Sequence, residues 1–152
     1  MKNLSLLMVL FLSLMSSCDR QEKSREEQVC DCAEGFALAY FNHDYRQAEH
    51  FVTPESSRWL RFAASNISEA DVEQLNAHGL AATVETTDYR QADDTTAVVT
   101  VAVAGYLHFD TIGGRGTVAD DGSEYCLTLV NRAGYWLVRM AGLPRSERHS
   151  RD

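Results

Sequence analysis

The hydrophobic period of this chain changes once, near residue 80, and that change limits the folds open to it. Before Leu80 the apolar residues recur at helical spacing, and after it they alternate at the two-residue period of strands. Helices first and consecutive strands second predict an α+β domain: N-terminal helices packed on a curved antiparallel sheet of about four strands. No internal repeat interrupts this order.

The helical half carries its own punctuation. Ser24-Arg-Glu-Glu27 has the form of a capping box, with Ser24 as N-cap and Glu27 reaching back. Val29, Cys32, Ala33, Phe36, Ala37, Tyr40 and Phe41 follow at i, i+3, i+4 spacing and predict a helix over about 25–42. Gly35 costs such a helix up to about 1 kcal/mol relative to Ala, and its use would be close packing. Asn42-His-Asp-Tyr45 breaks the helix, and Asp44 is placed to cap a short second one through Val52. Thr53-Pro54-Glu55 starts a third, to about Ala64, and Ser68-Glu-Ala-Asp71 a fourth that Gly79 ends.

In the strand half, Val84–Tyr89 reads as a strand and 91–94 as a turn. Residues 95–109 read as one long central strand with Ala97, Val99, Val101, Val103, Leu107 and Phe109 on one face and Tyr106 and His108 on the other. The glycine-rich stretch 110–122 reads as a hairpin loop. Glu124–Val130 and Tyr135–Met140 are the closing strands around a tight turn at Asn131–Gly134. Residues 143–152 read as a polar tail.

The first 17 residues are a separate matter. Lys2 and a short apolar run from Leu4 to Met15 make a secretory leader, too short to cross a bilayer as a mature helix. Leu14-Met15-Ser16-Ser17-Cys18 resembles the lipobox of bacterial lipoproteins. That resemblance implies diacylglycerol on the Cys18 sulfur, cleavage before it and acylation of the new amine, since one chain alone binds a membrane only marginally. It implies a bacterial cell envelope, with the choice of inner or outer membrane left open. The expected organisation is a signal peptide at 1–17, lipidated Cys18 and tether at 18–24, a domain at 25–142 and the tail. Cleavage removes one positive charge, Lys2, from a formal −8 and leaves −9. A chain this acidic has no basic stripe for nucleic acid and gains nothing from anionic lipid, so the lipid must do the anchoring.

The run Phe36-Ala-Leu-Ala-Tyr-Phe-Asn-His-Asp-Tyr-Arg-Gln-Ala-Glu-His-Phe-Val-Thr-Pro-Glu55, with Tyr135-Trp-Leu-Val138 after a tight turn, resembles the nuclear transport factor 2-like superfamily over residues 25–141. That superfamily shares a cone-shaped α+β fold with ketosteroid isomerase and polyketide cyclases. The resemblance implies a pocket between the first helix and the concave sheet face, for which Tyr40, Trp59, Tyr106, His108 and Trp136 are the lining candidates. Plain core packing is the simpler account of the same aromatics. It does not fix function, because the superfamily holds enzymes, transport factors and binding modules.

Other constellations are weaker. His108 and Asp110 lie on one side of a strand end, where an acid–base pair would sit, but polar residues are commonplace beside a glycine-rich turn. His43 and His50 are seven apart, not the i, i+4 spacing that puts two imidazoles on one helix face for zinc, and they read as an exposed linker. Gly113-Gly-Arg-Gly116 lacks the Lys-Ser/Thr ending of a phosphate loop. Cys30, Cys32 and Cys126 lack the fourth ligand of a structural zinc site, and no cofactor motif is present. An exported chain is free to form disulfides, and Cys32–Cys126 is the candidate bridge provided Cys126 faces the first helix; otherwise the thiols stay reduced. Three function classes follow: a non-catalytic envelope lipoprotein binding a small molecule or protein, a small isomerase- or hydrolase-like enzyme, and an inhibitor or immunity-type protein.

Overall fold

The structure, a computed structural model, describes residues 23–79, 81–109, 115–119 and 121–146. The leader, Cys18 and the tether as far as Glu22, together with Leu80, Asp110, Gly113, Gly114 and the last six residues, lie outside the described residues.

The first helix, α1 (Arg25–Phe41), starts where its cap predicts. The Ser24 side chain accepts from Glu27 N, and the Glu27 carboxylate accepts from Ser24 N. Its buried face is Val29, Ala33, Phe36, Ala37, Ala39 and Phe41. Gly35 has the use expected of it: a Cβ there would lie 2.6 Å from the Phe51 ring, so only glycine lets that ring pack on α1. A short α2 (Tyr45–Ala48), capped by Asp44, leads through two 3-10 turns into α3 (Ser57–Ser65). α4 (Glu69–His78) repeats the capping box with Ser68 and Asp71 and ends at Gly79.

The sheet is the expected antiparallel one of four strands. β1 (Thr83–Asp93), β2 (Thr96–Ala104), β5 (Ser123–Arg132) and β6 (Tyr135–Val138) run in the order β1-β2-β5-β6. Two register shifts, between Thr86 and Asp88 and between Gln91 and Asp93, bend β1 as bulges do. α1 lies across the face built by Val99, Val101, Val103, Leu127 and Leu129. Its direction is fixed by three hydrogen bonds to β1 and the residue before it: Thr86 donates from N and Oγ1 to Glu34 Oε1 (3.2 and 2.7 Å), and Ala82 N donates to Asn42 Oδ1 (2.8 Å). α1 therefore begins at the end of the sheet that holds the β1–β2 and β5–β6 turns. We call this the near end, because the chain enters there at Lys23, and the opposite end the far end.

Three expectations need correction. The long strand 95–109 is broken at Gly105, whose φ of +69° is left-handed. Glycine adopts that angle without a Cβ penalty, and the chain turns there into β3 (Tyr106–His108). β3 leaves the main sheet to pair with β4 (Thr117–Ala119), a strand inside the stretch read as one loop. The turn resets the facing, so Tyr106 is buried rather than opposite Val99 and Val101. The first hairpin turns at Asp94 and Thr95, and β1 runs on through 91–93. The polar tail is also not wholly free of the domain: Ser146 still pairs with Tyr125.

Candidate functional site: a tyrosine–histidine cluster at the far end

The C-terminus of α1 places the key residue. Asp44 N donates to Ala39 O (2.9 Å) and His43 N to Tyr40 O (3.0 Å), the paired bonds of a Schellman motif. The residue after the cap must then be left-handed, a place where glycine is usual. Here it is His43, at φ +61°. An L side chain held there costs roughly 1–2 kcal/mol. The outlier draws attention to what the imidazole does.

Its Nδ1 lies 3.1 Å from the Tyr45 hydroxyl, and its ring lies 6.1 Å from Phe109 and 6.0 Å from Tyr45. Nε2 is buried and has no hydrogen-bond partner among the described residues. Burial pushes the His43 pKa below its ordinary value, against a smaller opposing pull from the Asp71 carboxylate. The ring is therefore neutral at neutral pH. A phenol is the better donor of the pair and imidazole nitrogen the better acceptor, so Tyr45 donates to Nδ1 and Nε2 carries the proton.

Four phenols continue the cluster inward. Tyr45 packs edge-on to Tyr40 at 5.6 Å, and Tyr40 stacks on Phe36 at 5.5 Å. Phe41 separates Tyr40 from a buried pair, Tyr106 and Tyr125, whose hydroxyls are 2.7 Å apart. Burial raises the Tyr45 pKa to about 12 and pushes Tyr40 and Tyr125 higher still, with the neighbouring phenols adding to it. These groups keep their protons: they donate hydrogen bonds and do not act as bases near neutral pH. Asp71, the carboxylate that acts on His43, is already committed. It accepts from Ser68 N, Ser68 Oγ and Gly116 N at 2.9, 2.6 and 3.2 Å, so it ties the 115–116 segment to α4.

Of the five pocket candidates, Tyr40 and Tyr106 enter this cluster. His108 lies beside it on β3, its ring 6.2 Å from that of Tyr106, while Asp110 is outside the described residues, so the dyad is not placed. Trp59 is on α3 under the Arg58 guanidinium, with its indole Nε1 buried and lacking a partner among the described residues. Trp136 belongs to the core at the near end. The linker reading of the two histidines holds for His50, which is exposed, and fails for His43. Tyr45 and Tyr125 were also missed. The signal for Tyr125 was present, since it shares the parity of Leu127 and Leu129 on β5.

That same parity overturns the candidate disulfide. Tyr125, Leu127 and Leu129 face α1, so Cys126 faces away from it on the other side of the sheet, its sulfur 3.4 Å from Thr100 Oγ1. Cys32 is half-buried at the β6 edge, its thiol donating to the Trp136 carbonyl at 3.1 Å. The sheet stands between the two sulfurs. Burial raises the Cys32 pKa to about 11, so this thiol stays protonated and unreactive. Among the described residues no group of His, Cys, Asp and Glu side chains is arranged to hold a metal.

No family model matches the chain, and neither does any curated protein. Solved structures do resemble it. One is a Campylobacter jejuni protein provisionally described as an NTF2-like transpeptidase, 14% identical with a TM-score of 0.47, over 72% of this chain and 95% of that one. Another is a function-unknown protein from Mycobacterium tuberculosis, 14% identical with a TM-score of 0.47, over 93% and 75%. A third is an NTF2-like protein from Cytophaga hutchinsonii, 18% identical with a TM-score of 0.44, over 76% and 93%. Likenesses this distant carry no argument about activity.

Proposed function

We propose that the chain is a lipid-anchored protein of a bacterial envelope, held at Cys18, whose domain is a non-catalytic binding module for a small molecule at the far end. The observation that carries the binding half is His43. Its imidazole occupies a backbone position that favours glycine and ends in a buried Nε2 with no partner among the described residues. An unmet buried donor costs about 1–3 kcal/mol, and a ligand acceptor would recover it. Aromatic walls with few, fixed polar groups are the usual make-up of a small-molecule site. The phenols around it are held protonated, which suits binding rather than proton transfer. The anchoring half rests on Leu14–Cys18 alone.

Each half has its own test. Expressed with its own leader, the protein should incorporate labelled fatty acid and partition with membranes, and Cys18→Ser should abolish both; a labelled serine variant would sink the anchor. The neutral aromatic probe Prodan, whose ketone oxygen accepts a hydrogen bond, should bind saturably with a rise in fluorescence, weakened by Tyr40→Ala. Lack of saturable binding would remove the module reading. An isomerase- or hydrolase-like enzyme would instead need neutral His43 as its base, and turnover of an ester or enolisable ketone that vanishes in His43→Gln would favour it.

A further inference from the structure

At the near end, a depression of about 510 Å³ lies between the start of α1 and the β5–β6 hairpin. Lys23, Asp31, His50, Arg132 and Tyr135 line it. Tyr135 is 74% exposed at the hairpin tip, where none of the described residues covers its ring. The tip is a two-residue turn with Ala133 and Gly134 both at positive φ, so it holds Tyr135 out on a defined backbone.

Where the chain goes from here names the occupant. Cys18 is five residues before Lys23, which spans at most about 18 Å fully extended. A domain of this size is roughly 35 Å across. Resting on the anchor proposed above, this tether keeps the near end at the bilayer and the far end away from it. A phenol with an apolar ring and a polar tip suits the headgroup layer. The charges suit one kind of headgroup. Lys23 pairs with Asp31, and Arg132 with Glu55 at 2.8 Å, so cation and carboxylate stand side by side twice. Asp93 and Asp94 at the neighbouring turn add only negative charge. Such a face matches the phosphate and ammonium of a zwitterionic lipid and has no net attraction to anionic ones.

We infer that the near end rests on the zwitterionic headgroup layer of the membrane that holds Cys18, with Tyr135 as its inserted side chain. The proposed binding cluster then lies on the side away from the membrane, toward solutes of the compartment.

Photo-crosslinking tests this with the full chain, purified with its lipid and reconstituted into vesicles of phosphatidylethanolamine and phosphatidylcholine. Benzoyl-phenylalanine is placed at Tyr135 in one variant and at exposed Glu73, on far-end α4, in another. Lipid adducts should be several-fold more abundant from position 135 and should not fall at high salt. Adding anionic lipid should not raise them. Equal yields from the two positions on acylated protein, adducts to protein instead of lipid, or a strong rise with anionic lipid would overturn the inference while leaving the anchor intact. Absence of fatty acid on Cys18 would overturn the anchor, and this inference with it.

Discussion

The two ends of the domain share one helix and one sheet but are finished in opposite ways. At the near end the polar groups meet one another. Lys23 pairs with Asp31, Arg132 with Glu55, and the Cys32 thiol with the Trp136 carbonyl, while the Phe51 ring closes over Gly35. At the far end His43 is held left-handed, as Ala133 is at the near-end turn, but here four phenols pack together, two of them fully buried, and an imidazole nitrogen has no partner among the described residues. The contrast separates stability from function. The near end packs its core and presents paired charges beside an acidic turn, and the far end carries the unmet donor that a ligand would exploit.

The largest test of this contrast is Trp136→Ala. Its ring is 8% exposed in the near-end core, and its loss should cost about 3–5 kcal/mol in chemical denaturation without weakening probe affinity in the folded fraction. Tyr106→Phe comes next. It leaves the buried Tyr125 hydroxyl without its partner and should cost about 1–3 kcal/mol. His43→Gly should go the other way. Glycine relieves the left-handed strain and removes the unmet Nε2, which together offset the partner lost by the half-buried Tyr45 hydroxyl, so the variant should be at least as stable as its parent, by up to about 1 kcal/mol, yet bind the probe less well. Clear destabilisation would make His43 a structural residue and erase the distinction between the ends.

The His43 imidazole also sets a pH dependence. Its pKa is lower folded than unfolded, so the unfolded chain takes up the proton first as pH falls. The stability it supports is therefore present above the ordinary imidazole pKa of about 6.5 and lost as pH falls from there through the lowered value. Denaturation midpoints should decline over that window in the parent and decline less in His43→Gly. The smallest expected effect is Tyr135→Ser, which should change the stability of the soluble domain by less than about 0.5 kcal/mol.

Local chemistry was legible in the sequence where one segment settles its own structure. The Ser24 capping box, the helix start at Ser68, the Gly79 stop, the Asp44 cap and the four-strand antiparallel sheet follow from short-range pattern and are present. The break at Gly105 was not legible, because a single glycine in a β-branched run is compatible with an unbroken strand; only the pairing of β3 with β4 decides otherwise. The cluster was half legible. Tyr40 and Tyr106 were named as aromatics near the cone, but Tyr125 is brought to them by tertiary packing, and the Asn-His-Asp link looks like any polar turn until the Schellman bonds fix its dihedrals. The outward facing of Cys126 is legible in the sequence. Cys126 shares its parity with Glu124 and Thr128, which are polar, and that marks the outward face.

The proposed ligand site lies at the far end. Titrating isotope-labelled protein with Prodan and following amide and imidazole resonances tests this. Saturable shifts should concentrate at Tyr40, His43, Tyr45 and Phe109, including the His43 Nε2 signal, with Lys23, Arg132 and Tyr135 unmoved. Shifts centred on the near-end depression, with His43 silent, would contradict it.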